Sequence, residues 1–130
     1  MAATYNNLYL DARKRLREAG VEGAQLEARE LVCCAAGKSR EQFYRDMALY
    51  ASDPVEEKLA ELLERRLAGE PVAYLIGEWE FYGLGLDITP DVLIPRMDTE
   101  VLAARAILLA RAAGEGARVL DLCAGSGCVG

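Results

Sequence analysis

The sequence predicts a mainly α-helical N-terminal bundle, a β-hairpin linker, and then the start of an α/β domain. Three observations carry that expectation. Apolar residues recur every three or four positions as far as Leu67. The stretch EWEFYGLGLDIT, Glu78 to Thr89, alternates instead and carries the aromatics of a half-buried strand pair. A short apolar run, Ala117 to Leu122, then leads straight into a glycine-rich loop.

The first helix follows from Tyr5, Leu8, Ala12, Leu16 and Ala19, with Gly20 as its stop. A second runs from about Gln25 to Ala36, with Leu31, Val32 and Ala35 inward and Gly37 behind it. Ser39 and Gln42 have capping-box spacing and start a third. Asp53-Pro54-Val55-Glu56 combines an N-cap, an early proline and a returning glutamate. The fourth helix runs from there to Leu67, burying Leu59, Leu62, Leu63 and Leu67, and Gly69 ends it. Pro71 to Ile76 suits one more helical turn. The short connections favour a compact bundle over residues 1–76.

The linker occupies 77–95. One strand is expected from Glu78 to Tyr82 and another from Gly85 to Thr89, joined by Gly83-Leu84 in a type II′ turn. Pro90 and Pro95 keep the following segment extended. A helix then starts near Asp98 or Thr99 and runs to Ala113, closed by Gly114. Ala117 to Leu122 is expected as a strand. Residues 96–130 would thus open an α/β domain without completing it, since a parallel sheet needs several such units.

Composition narrows the function. Hydrophobic residues make up 52% of the 130, enough for a core. The net charge of −6 argues against a nucleic-acid binder and against a polybasic membrane anchor. No run is long enough to span a bilayer, and the N-terminus does not read as a signal peptide, so cytoplasm is the expected compartment. With no histidine and no Cys-x-x-Cys among Cys33, Cys34, Cys123 and Cys128, no metal site is expected. Cys33 and Cys34 suit small apolar core positions.

The loop Gly125-Ser126-Gly127-Cys128-Val129-Gly130 matches Gly-x-Gly-x-x-Gly. In dinucleotide folds such glycines let a backbone approach pyrophosphate. An acidic residue about 20 positions further on would complete that fingerprint, and the sequence given ends before it. The residues in front shift the balance. Asp121-Leu122-Cys123-Ala124-Gly125-Ser126-Gly127 is an acidic residue followed by Gly-x-Gly, and it resembles the first motif of S-adenosylmethionine (SAM)-dependent methyltransferases. Asp121 also suits a turn aspartate, and Cys123 and Cys128 suit space-filling, the preferred role for Cys128.

Three further stretches join that loop: Gly69-Glu70-Pro71-Val72-Ala73-Tyr74-Leu75-Ile76-Gly77, Glu80-Phe81-Tyr82-Gly83, and Leu93-Ile94-Pro95-Arg96-Met97-Asp98-Thr99-Glu100. Together they resemble the peptide chain release factor N5-glutamine methyltransferases (the HemK/PrmC type), across the whole chain and most strongly from Gly69 onward. The resemblance implies a five-helix domain that helps dock the release factor, a hairpin linker, and a Rossmann-like SAM-dependent methyltransferase domain. It implies methylation of the glutamine side-chain amide in a Gly-Gly-Gln loop. Asp121, Cys123, Ala124, Gly125, Ser126 and Gly127 match the cofactor loop, and Arg96, Asp98 and Thr99 match a segment beside the active site. Arg96 also suits a surface salt bridge, and Thr99 is the expected N-cap.

Two departures stand out. Met97 stands where the family has proline, which loosens the helix start slightly. The family's catalytic signature, Asn-Pro-Pro-Tyr, is absent from these 130 residues. No catalytic residue is therefore assigned here, and the chain by itself is expected to be an inactive N-terminal portion of the enzyme. A non-catalytic helical adaptor that binds a translation factor is the alternative. A dinucleotide-binding oxidoreductase is a third reading.

Overall fold

The computed structural model describes residues 2–130. They divide into two compact units, one as far as Ile76 and one from Gly77 to Gly130. The first holds α1 (Tyr5–Glu18), α2 (Ala24–Ala36), α3 (Arg40–Arg45), α4 (Asp53–Leu67) and α5 (Val72–Ile76). The second holds β1 (Glu78–Phe81), β2 (Leu84–Asp87) and α6 (Met97–Ala113). Among the described residues, no helix is long and apolar enough to cross a membrane.

The helix ends follow from local chemistry. Thr4 caps α1, its hydroxyl oxygen accepting the Asn7 N–H at 3.1 Å. Ser39 and Gln42 form the full capping box of α3: Ser39 Oγ accepts the Gln42 N–H at 3.2 Å, and Gln42 Oε1 accepts the Ser39 N–H at 2.9 Å. Gly37 closes α2 at φ 65°, a left-handed conformation that glycine adopts without a Cβ penalty. The Lys38 N–H then reaches back to the Cys33 carbonyl at 3.0 Å. At α4 the cap is Ser52 rather than Asp53, which moves one place in and joins Glu56 as a first-turn acid facing the positive end of the helix dipole.

Helix α2 packs against α1, α3, α4 and α5 and so organises the unit. Its buried residues, Ala24, Ala28, Leu31, Val32 and Cys33, are small at one end and larger at the other. The most deeply buried large side chains are Leu16, Leu31, Val32, Phe43, Leu62 and Leu63. Phe43 meets Tyr9 edge-on, with ring centroids 5.8 Å apart. Leu59, Leu62 and Leu63 of α4 are buried, whereas Leu67, expected inside, is 37% exposed because it lies at the last position of the helix. Burial pushes the Cys33 thiol up to about 11, with Glu30 adding to the effect, so this cysteine is an inert core residue. Cys34 is half-buried.

The chain start is stitched to the α3–α4 connection. Tyr5 N–H donates to the Leu49 carbonyl and Asn6 N–H to that of Met47, each at 3.0 Å, and Ala51 N–H donates to the Ala3 carbonyl at 2.8 Å. In that connection the buried Asp46 takes Arg45 Nε at 3.0 Å and Lys38 Nζ at 2.8 Å. The hydrogen bonds from Arg45, then from Lys38, hold its carboxyl at about 2, below its ordinary 3.8. A depressed folded-state value stabilises the fold above the unfolded-state value and loses that contribution as pH falls through the folded one. The urea midpoint should therefore fall more steeply between about pH 4 and pH 2 in the natural chain than in Asp46→Asn, followed by circular dichroism. Parallel acid profiles would contradict the assignment.

In the second unit the strands pair antiparallel, Glu78 with Asp87, Trp79 with Leu86, Glu80 with Gly85, and Phe81 with Leu84. This register puts Trp79, Phe81, Leu84 and Leu86 on one face and Glu78, Glu80 and Asp87 on the other. The loop is Tyr82-Gly83, one residue earlier than expected. Both residues have positive φ, 50° and 76°, which is the type I′ pattern rather than II′.

The expected strand at Ala117–Leu122 does not form. Every residue from Ala117 to Leu122 is exposed, with Val119 at 75% and Leu120 at 84%, and the described sheet contains β1 and β2 alone. A strand is held by the ladder to its neighbour, and without one the backbone stays with solvent. Helix α6 shows the same lack of cover: Val101, Leu102, Leu108 and Leu109 are all more than half exposed, and Ala103 is its buried residue.

Candidate functional site

The candidate residues lie in the second unit, in two places. Arg96, Asp98 and Thr99 surround the start of α6. Arg96 is its N-cap in extended conformation, with no side-chain capping bond. Met97, Asp98 and Thr99 form the first turn, and the Thr99 N–H donates to the Arg96 carbonyl at 3.0 Å. Thr99 is thus third in the helix rather than its cap, which lies three residues earlier at Arg96, a shift that local periodicity does not resolve. Asp98 places a negative charge at the positive end of the helix dipole. Arg96 is exposed and makes no salt bridge among the described residues, so the expected surface pair is not formed. Met97, at the proline position of the motif, is 82% exposed.

The second place is the loop from Asp121 to Gly130. Gly127 N–H donates to the Ala124 carbonyl at 3.0 Å, closing a turn over Ala124-Gly125-Ser126-Gly127. Gly125 and Gly127 have φ of 61° and 81°. A methyl group built on either would meet no atom within 4 Å, so the glycines answer to conformation rather than crowding. Cys123 also has positive φ, 57°, unusual for a residue with a side chain. Cys128 is half-buried, and its N–H reaches Ser126 Oγ at 3.4 Å. The Asp121 carboxylate folds back toward the far end of the loop, with Oδ2 3.3 Å from where a Gly130 side chain would begin. Asp121, Cys123, Ala124, Gly125, Ser126 and Gly127 therefore lie together, all exposed. Among the described residues no hydrogen bond or ion pair joins this loop to Arg96, Asp98 or Thr99.

One further contact carries no signal in the local sequence. Glu100 Oε1 accepts the backbone N–H of Tyr82 at 2.7 Å, joining the first turn of α6 to the tip of the hairpin. A carboxylate on a turn N–H is a charge-assisted bond. It supports a residue held at φ 50°, where a non-glycine backbone is otherwise disfavoured. Glu100→Ala should speed amide exchange at Tyr82 several-fold in nuclear magnetic resonance spectra, with smaller changes at Trp79. Unchanged protection at Tyr82 would show the bond to be absent in solution.

Comparison with known proteins places the chain in a family. The family model described as "PrmC N-terminal domain" matches residues 7–77. The chain belongs to the PrmC family. Its relatives include proteins named "Release factor glutamine methyltransferase" from several bacteria. The one from Haemophilus influenzae is 40% identical over 112 residues, 83% of this chain and 38% of that protein. The one from Bordetella pertussis is 47% identical over 111 residues, 81% of this chain and 38% of that protein. The one from Vibrio cholerae is 36% identical over 129 residues, 99% of this chain and 44% of that protein. The chain therefore spans about two fifths of the length of these PrmC relatives. The matched domain covers all five helices of the first unit apart from the first residues of α1.

Proposed function

We propose that the protein to which this chain belongs is a SAM-dependent methyltransferase acting on the glutamine side-chain amide in the Gly-Gly-Gln motif of peptide chain release factors. The observation that carries this reading is the match of residues 7–77 to the PrmC N-terminal domain, beside relatives named release factor glutamine methyltransferase. In this reading residues 1–76 dock the release factor, 77–95 link, and 96–130 open a Rossmann-like methyltransferase domain. The partner is a protein rather than nucleic acid or membrane, in the cytoplasm.

The loop residues suit the cofactor chemically. Asp121 offers a carboxylate to hydroxyl or ammonium donors, Ser126 offers a hydroxyl, and Gly125 and Gly127 leave their backbone open to approach. Cys123 and Ala124 complete that rim. SAM, when bound, supplies a methyl group made electrophilic by its sulfonium. The amide nitrogen of glutamine is a weak nucleophile because its lone pair is delocalised into the carbonyl. Catalysis therefore depends on acceptors that hold both amide hydrogens and favour the developing positive charge. The Asn-Pro-Pro-Tyr signature would supply them, and it is not among these residues. Arg96, Asp98 and Thr99 would border the site, held in place by the Glu100 bond to the hairpin.

The test is methyl transfer to a Gly-Gly-Gln release factor, read by mass spectrometry of the motif peptide. The gene product that includes the signature should methylate the glutamine, and this chain alone should not. Methylation by this chain alone would overturn the inactivity proposed for it. A signature-containing product that leaves the glutamine unmodified would overturn the function.

A further inference from the structure

The first unit carries more acidic than basic residues, and most of its cations are paired. The ion pairs among the described residues engage Arg29, Lys38, Arg40, Arg45, Arg65 and Arg66. The unit's cations outside those pairs are Arg13, Lys14, Arg15, Arg17 and Lys58, so all but one fall within a single stretch of α1.

Helical geometry divides that stretch into two flanks. At about 100° per residue, Leu10, Arg13, Lys14 and Arg17 follow the i, i+3, i+4, i+7 pattern and share one stripe. Asp11, Arg15 and Glu18 fall on the other flank, where acid and base lie three or four residues apart and offset one another. The stripe is presented to solvent. Lys14 and Arg17 are exposed, Arg13 is half-exposed, and Leu10 is 39% exposed. Arg13 stands over the Tyr9 ring at 5.5 Å, which fixes its stem while leaving its charge without a carboxylate. Arg17 gains from the negative end of the helix dipole, but Arg13 and Lys14 lie before the last turn and gain little.

We propose that this stripe of α1 receives an acidic segment of the release factor. The inference rests on the reading of the first unit as a docking domain, and it names the chemistry of the partner surface. Three cations beside an exposed leucine form a small basic site with an apolar anchor, the composition that recognises carboxylates on an amphipathic segment. A nucleic acid fits less well. From Arg13 to Arg17 the stripe rises about 6 Å, too short to follow a phosphate backbone that normally takes 6–10 contacts.

The experiment measures binding of this 130-residue chain to a Gly-Gly-Gln release factor by calorimetry at several salt concentrations. The natural chain should bind, more weakly as salt rises, and the triple variant R13E/K14E/R17E should lose at least about tenfold in affinity. Lys58→Glu and Arg15→Glu should change it less than about twofold. Single Lys14→Glu and Arg17→Glu variants, each altering a solvent-facing side chain, should show graded losses, and circular dichroism checks that every variant is folded. Equal affinity of the folded triple or single variants and the natural chain would overturn the proposal while leaving the docking role intact. Homopolymeric RNA is the second probe: its loss by the triple variant, with release-factor affinity unchanged, would assign the stripe to nucleic acid and overturn the proposal. No binding by the natural chain at any salt would overturn the docking role, and this inference with it.

Discussion

Phe43→Ala is expected to destabilise the first unit by about 3–5 kcal/mol. The side chain is 1% exposed on a helix of six residues. A helix so short gains little from its own hydrogen bonds and is held by what it buries. Phe43 is its buried residue, edge-on to Tyr9 and tilted against Tyr44 at 5.6 Å. Removing the ring leaves a cavity beneath α3 and frees the connection that anchors Ala3 to Asn6. Urea denaturation read by circular dichroism measures the loss. Phe43→Leu should cost roughly a third as much, because most of the volume stays. A Phe43→Ala loss below about 1 kcal/mol would place the ring outside the packed core.

Arg66→Met should cost about 2–3 kcal/mol, less than a fully buried pair would, because both side chains retain some solvent. Arg66 Nε reaches Glu27 Oε1 at 2.8 Å and joins α4 to α2, with the Glu27 side chain 13% exposed. The second oxygen, Glu27 Oε2, is buried with no hydrogen-bond partner in the structure. Removing Arg66 leaves a mostly desolvated carboxylate without its counter-charge, which costs more than the pair contributes while intact. The double variant Glu27→Gln/Arg66→Met should therefore be more stable than Arg66→Met alone. If the double variant is the less stable of the two, the orphaned charge is not the source of the loss.

Most of the helical unit was legible because its signals are local. The Ser39–Gln42 box, Gly37 after α2 and Leu59, Leu62 and Leu63 of α4 each act within a few residues and appear as expected, while Leu67 at the helix end does not. The misses needed information from elsewhere in the chain. Ala117–Leu122 has the composition of a strand, but a strand exists only with a neighbour, and composition does not supply one. The hairpin turn moved to Tyr82-Gly83, where Glu100, eighteen residues on from Tyr82, accepts the turn N–H. The candidate loop was legible as a cluster because Asp121 to Gly127 are neighbours in sequence. The basic stripe of α1 is visible only once ion pairing elsewhere in the unit singles out the unpaired cations.

Methylation of the Gly-Gly-Gln glutamine is the activity we propose for the protein that contains this chain. The most direct measurement is the mass of the motif peptide from release factors of the source organism, with and without the gene that encodes this chain. Deletion should leave the peptide one methyl group lighter, and restoring the gene should return the methyl. A peptide that stays fully methylated after deletion would contradict it.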